Sequence, residues 1–268
     1  MQTIPESRRQ THYWDYGFLG LIGLVASVFL AGEGWPKWTT VGWLCVAFLA
    51  TWGFGWSIMS LVDLLKNQRE DQWNKASEIW LWLVAGGAAM ALACWKLGDL
   101  PFYLFPALML STAAIALLSQ SGAISGIIWG LGAAILVFLG WASVRQSLFQ
   151  VEDGPVWFLV GFLIFWFIGC DLFEKGLGIK EKEKQTYNRL AWDLARIFHL
   201  LSLAPLFFLG QMKEMGFVYG ISVFLILIFA ESKFRGKKSE SDLAGSMSGI
   251  NNWVGVMVLL ACLFGRLV

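Results

Sequence analysis

Charge is what this sequence has least of. Only 15% of its 268 residues are Asp, Glu, Lys or Arg, while 57% are hydrophobic. A soluble domain of this length needs far more polar surface to cover its core, so that class is excluded. Histidine is nearly absent: His12 has no partner that the sequence identifies, and His199 sits alone inside an apolar run, as a packing residue would. Cysteine is sparse too. Cys45, Cys94, Cys170 and Cys262 lie in or beside apolar stretches without metal-ligand spacing, so buried thiols are expected rather than disulfides or zinc ligands. The first fifteen residues are polar and hold no short apolar core with a cleavage site, so no cleavable signal is read. Missing as well is a pair of Pro/Gly-broken helices at matching places in two halves, which ranks a transporter last. The net charge of +1 points to no partner class, and no nucleic-acid partner is expected.

What is present is apolar sequence from end to end. The runs predict an all-α, polytopic membrane bundle of nine transmembrane helices. The first covers about residues 16–31, closed by GEGWPKW. The others cover about 40–62, 79–95, 102–118, a run ending near Val144, 156–170, 190–209, 217–230 and 250–267. Residues 1–15 read as a polar N-terminal arm and 16–268 as one transmembrane domain. Sixteen Trp, many near segment ends (Trp14, Trp35, Trp38, Trp80, Trp157), fit an interfacial aromatic belt plus packing. Small residues cluster at GGAAMALA (86–93), SGAISG (121–126) and GLGAAILVFLG (130–140), where helix backbones approach closely.

The charges test the count. With nine spans and a cytoplasmic amino terminus, the inside loops carry fourteen of the twenty Lys and Arg, among them Arg8, Arg69, Lys180 and Lys238. Five fall outside, and Arg196 is left within a span. That bias obeys the positive-inside rule. The acids sort likewise. Asp63, Glu70, Asp71 and Glu78 follow the second span; Asp171, Glu174, Glu181 and Glu183 follow the sixth. Both loops face one side, four spans apart, which suggests two four-helix halves plus an extra helix. The expected location is a bacterial inner membrane or a membrane derived from one.

Two acidic loops on one face suggest a divalent-metal diphosphate site. Carboxylates would hold Mg²⁺, the metal would take diphosphate oxygens, and nearby Lys and Arg would neutralise the remaining charge. An apolar cavity between the helices would accept an isoprenoid tail. Each piece has a plainer reading. Asp63 is a helix-end carboxylate, and KEKEK (180–184) is a solvated face. Asp193 and Arg196, at i and i+3, pair on one helix face. Asn251 and Asn252 cap the last helix or bond to a neighbouring one.

The layout resembles the UbiA-type intramembrane prenyltransferases, which have nine transmembrane helices and acidic motifs after the second and sixth. SGINNWVGVMVLLACLFG (248–265) is similar to the family's closing helix. IIWGLGAAILVFLGW (127–141) is similar to its fifth, and FLIFWFIGCDLFEKG (162–176) to the end of its sixth. GIK (178–180) resembles the segment that follows the second motif. The motifs themselves depart. Against Asn-Asp-x-x-Asp-x-x-x-Asp, the positions read Met59, Ser60, Asp63 and Asn67, one carboxylate of three. A shifted register pairs Asn67 with Asp71 and puts Lys75 in the last place. Against Asp-x-x-x-Asp, counting from Asp171 reaches Gly178 and Lys182.

Two functions follow. The resemblance implies an enzyme moving an isoprenoid from its diphosphate to an aromatic or other lipid-soluble acceptor through a degenerate metal site. Asp63, Asp71, Asp171 and Glu174 would bind Mg²⁺; Arg69, Lys180 and Arg196 would hold diphosphate; no catalytic residue is assigned. The lost acids favour the alternative. In that reading the protein is a noncatalytic UbiA-fold protein that binds an isoprenoid, quinone or pigment lipid, or an accessory subunit of a larger membrane complex. Membrane lipid is a partner in either case.

Overall fold

The protein is described by a computed structural model covering residues 6–32, 35–67, 73–118, 125–178, 189–235 and 240–264. Among these residues the chain forms nine α-helices: α1 (Glu6–Ala31), α2 (Trp38–Asn67), α3 (Trp73–Leu97), α4 (Asp99–Leu118), α5 (Ser125–Arg145), α6 (Gly154–Gly178), α7 (Arg189–Met212), α8 (Phe217–Arg235) and α9 (Glu240–Phe264). A single 3-10 turn, Val151–Asp153, precedes α6. Six helices, α2 to α7, contain described stretches long and apolar enough to cross a bilayer. The apolar parts of α1, α8 and α9 are shorter. With backbone polar groups satisfied inside each helix, this is the architecture a hydrocarbon solvent permits. The protein is a multi-pass integral membrane protein.

The helices overrun the apolar segments that predict them. α1 begins at Glu6 rather than Tyr16, α2 runs on past Val62 through Asp63 to Asn67, and α9 starts ten residues before Ile250. Hydropathy marks where hydrocarbon ends, whereas backbone hydrogen bonding continues through the interface.

Two hairpins, α2–α3 and α6–α7, pack most extensively. α1 lies against α5 and α9, α8 bridges α7 and α9, and α4 packs on α5, α2 and α3. One buried cluster spans α1, α5, α6, α7, α8 and α9 around Trp141, Phe162, Trp166 and Phe167. A second joins α1 and α5 to α2, α3 and α4 around Phe54, Met90 and Leu108. Small residues form the close crossings. A Cβ on Gly130 would stand 3.0 Å from Ile164 Cα of α6, and one on Gly86 3.3 Å from backbone atoms of α2. The small-residue runs of the sequence thus serve helix packing.

The connections at the end opposite the acidic loops are tightly bonded. Gly98 turns the chain between α3 and α4 at φ +125°, in the left-handed region. Gln146 closes that turn from α5, donating Nε2 to Leu97 O at 2.9 Å. Asp153 is fully buried. Its Oδ1 accepts from Trp141 Nε1 at 2.8 Å and Ser147 Oγ at 2.9 Å, and its Oδ2 from the Gln150 backbone N–H at 2.9 Å. These bonds fix one end of the bundle against which the other is built.

Candidate functional site

At the acidic end, α5 begins, α6 ends, α7 begins and α8 ends. Asp171 occupies the last described turns of α6. Cys170 and Phe173 on either side are fully buried, whereas Asp171 itself is half-buried. Its position follows from glycine. Gly126, at the start of α5, lies so close that an added Cβ would stand 2.6 Å from Asp171 Cβ and 2.7 Å from Phe167 O. The amino-terminal turn of α5 therefore abuts the Asp171 backbone, and only a residue without a side chain fits there.

Behind Asp171 is a buried polar network that ties α6, α7 and α9 together. Asn251 Oδ1 accepts from Trp166 Nε1 at 3.1 Å and lies 3.3 Å from Cys170 Sγ. The Asn251 reading as a bond to a neighbouring helix is the one found. His199 Nδ1 lies 2.8 Å from Ala195 O, which only accepts, so Nδ1 carries the proton. Nε2 then faces Cys170 Sγ at 3.6 Å, and the ring meets Trp166 edge-on with centroids 4.5 Å apart. His199 is a satisfied core histidine. The neighbouring Asn252 Oδ1 is buried and finds no donor among the described residues.

Arg196 feels the Asp193 carboxylate on its own helix, but its hydrogen-bonded partner is on another. Its guanidinium reaches Glu231 of α8 in a two-point bond, Nε to Oε1 at 2.9 Å and Nη2 to Oε2 at 2.8 Å. The pair is partly open, with side-chain exposures of 48% and 18%. Three of the five guanidinium donors stay clear of this bond. Of the other predicted site residues, Asp63 and Glu174 lie in α2 and α6 with side chains outside the described residues. Asp71, Arg69 and Lys180 lie outside them altogether. Among the described residues no group of three or more His, Cys, Asp or Glu gathers. The fit for Mg²⁺ rests on donor chemistry: Asp63, Asp71, Asp171 and Glu174 are all carboxylates, the hard oxygen donors Mg²⁺ takes.

Next to this end is a small cavity of about 50 Å³ between α1, α2, α4 and α5, lined by Gly17, Gly20, Trp52, Ser111, Trp129 and Gly132, among others. Trp129 stands one turn along α5 from Gly126, so the cavity lies toward the same end of the bundle as Asp171, on the side of α5 that faces α1 and α4. Sequence reasoning missed Gly17, Trp52 and Glu231, and read Gly126 only as one of a cluster of small residues that lets helices approach. The signal that Gly126 meets the same helix as Gly130 was their i, i+4 spacing, and for Glu231 it was its place as an acid closing an apolar run.

The fold has known counterparts. The apo structure of a UbiA homolog from Aeropyrum pernix K1 superposes with a TM-score of 0.71 at 13% identity, over 92% of this chain and 97% of that one. A digeranylgeranylglyceryl phosphate synthase gives 0.69 at 14% identity, over 97% and 99%. The fold is that of the UbiA-type family. The resemblance read from the last, fifth and sixth helices is borne out by it. A relative in sequence is the 4-hydroxybenzoate solanesyltransferase of Synechocystis sp., 23% identical over 92% of this chain and 90% of its own length. No family model matches the sequence.

Proposed function

We propose that this UbiA-fold protein is an intramembrane prenyltransferase that moves a polyprenyl chain from its diphosphate to an aromatic acceptor. The observation that carries the reading is likeness along nearly the whole chain, in fold to UbiA homologs and in sequence to a solanesyltransferase. In the reaction the bond between the prenyl C1 and the diphosphate oxygen breaks, a bond from C1 to the acceptor forms, and the acceptor loses a proton. Mg²⁺, when bound by Asp63, Asp71, Asp171 and Glu174, would stabilise the departing diphosphate. Arg69, Lys180 and the open face of Arg196 would neutralise its oxygens. Asp171, pressed against the start of α5, would be the carboxylate held most rigidly. The loops after α2 and α6 would face the cytoplasm.

A second reading draws on Lys75 and Lys182, which stand where the family's motifs place acids. In it the chain keeps the isoprenoid site without turnover and serves as a binding subunit in a membrane complex. Purified protein in nanodiscs, given prenyl diphosphates, 4-hydroxybenzoate and Mg²⁺, separates the two. Diphosphate release that disappears in Asp63→Ala and Asp171→Ala supports the enzyme. No release across donors and acceptors, with an isoprenoid lipid co-purifying, supports the binding subunit.

A further inference from the structure

The cavity between α1, α2, α4 and α5 is small because one side chain fills it. Trp52 of α2 projects across to α1, and a Cβ on Gly17 would overlap its ring at Cζ3. Phe48, one turn along α2, packs on Trp52 with centroids 6.0 Å apart and lines the same cavity. What remains, about 50 Å³, is far below the roughly 300–1,000 Å³ of pockets that hold small organic ligands. A second hollow of about 260 Å³ follows along the same α1–α2 seam, lined by Leu24, Val28, Trp35, Trp38, Leu44 and Cys45, among others. Its lining is almost wholly apolar. Leu44 stands one turn from Phe48, and Leu24 one turn from Gly20. The two hollows therefore succeed each other along α1 and α2, with Trp52 at the inner end of the first, beside Gly17, and Phe48 where the first gives way to the second.

We infer that Trp52 is a specificity-determining residue that limits how far a donor's isoprenoid tail can run from Asp171 into the α1–α2 seam. The inference rests on the prenyltransferase reading for its donor. The occupant follows from continuity. The inner cavity lies toward the same end of the bundle as the carboxylate proposed to hold the head group, and the seam beyond it stays apolar as far as Trp35 and Trp38. Along α2, Trp52 to Trp38 spans roughly 20 Å at about 1.5 Å per residue. Removing the indole opens the first hollow from its inner, Gly17 end, and a longer tail then enters the seam with Phe48 alone between it and the second hollow.

The test compares wild type, Trp52→Ala and Trp52→Phe in nanodiscs, each first checked for a cooperative melt. Turnover is measured with geranyl, farnesyl, geranylgeranyl and solanesyl diphosphates. In parallel, diazirine-tipped farnesyl and geranylgeranyl diphosphates are crosslinked and the labelled peptides mapped. In Trp52→Ala the kcat/KM ratio of geranylgeranyl over geranyl donor should rise about tenfold or more, as added apolar groups do when a pocket first admits them. Trp52→Phe should fall between. Labelling should move from the Gly17–Gly20 stretch toward Leu24 and Leu44. Turnover with an unchanged length profile in both variants overturns the inference while leaving the prenyltransferase reading intact. Without turnover, the crosslinks decide alone: the same shift supports the seam as the tail site though the enzyme reading fails. No seam labelling in any variant overturns the inference. Labelling by a diazirine phospholipid but not by the prenyl probes assigns the seam to bilayer chains and also overturns it.

Discussion

Replacing Gly126 by Ala adds one methyl group at the contact that positions Asp171, and the structure sets what that methyl must meet. It would lie 2.6 Å from Asp171 Cβ, 2.7 Å from Phe167 O and 3.0 Å from Ile168 Cα. Two of the three are atoms of the α6 main chain, so no rotamer change relieves them; the helices must part. Overpacking of this kind costs about 1–3 kcal/mol, and a clash with backbone belongs at the upper end, about 3 kcal/mol. Two other glycines calibrate the scale. A Cβ on Gly132 meets Ile115 Cδ1 at 2.5 Å, the far end of a side chain that can turn away, so Gly132→Ala should cost about 1 kcal/mol or less. Gly53 has nothing within 4 Å, and alanine there should stabilise by about 0.5–1 kcal/mol through helix propensity. Reversible unfolding in mixed micelles, with the denaturing detergent titrated, should rank the midpoints Gly53→Ala above wild type, Gly132→Ala slightly below it and Gly126→Ala lowest. Diphosphate release should fall with Gly126→Ala beyond its loss of folded protein, because the displaced residue is Asp171. A Gly126→Ala midpoint equal to that of Gly53→Ala would refute the α5–α6 contact and the account of how Asp171 is held.

The same unfolding assay tests three further points. Gly17→Ala should destabilise by about 1–3 kcal/mol, and Trp52→Ala in the same chain should recover much of that, a coupling that two residues out of contact would not show. Asp153→Asn should cost about 1–3 kcal/mol, since its amide turns a donor toward one of the three donors that now converge on the carboxylate. Glu231→Gln should leave the melt nearly unchanged, because the Arg196–Glu231 pair is partly exposed. It should also tighten binding of inorganic diphosphate severalfold in a competition assay, by releasing Arg196; unchanged affinity would remove Arg196 from the diphosphate set. Lys182→Gln should weaken diphosphate binding about fivefold if that lysine supplies charge where the family places an acid, on the order of 1 kcal/mol, and should strengthen it if the lysine merely opposes Mg²⁺.

The nine helices were legible because lipid leaves each helix no alternative partner for its backbone, so an apolar run announces it. The alternation of ends was legible for a related reason: the charges that cannot enter hydrocarbon collect in particular loops. Within the structure that alternation is seen in the pairing of Gln146 with Leu97 at one end and of Gly126 with Asp171 at the other. Helix ends were not legible, since the apolar signal stops at the hydrocarbon boundary while α1, α2 and α9 do not. Nor was the main partner of Arg196. Spacing offers Asp193, three residues away on the same helix, whereas Glu231 is 35 residues distant and becomes adjacent only when α8 packs on α7.

The site shows the same division more sharply. Asp171 could be read because a carboxylate ending an aromatic helix is a local pattern. What sets its surroundings is not local. Gly17 and Trp52 are each unremarkable in their own segments, and their meaning lies in the overlap between the ring of one and the missing side chain of the other. A glycine in an apolar run specifies close approach but never the element that approaches. The head-group chemistry of such a protein is therefore written in the loops, where charge is rare and conspicuous. Its choice of tail is written in size differences among apolar residues, which composition and periodicity treat as equivalent. That is why the residue here assigned to limiting the tail lies outside every motif, on a different helix from Asp171.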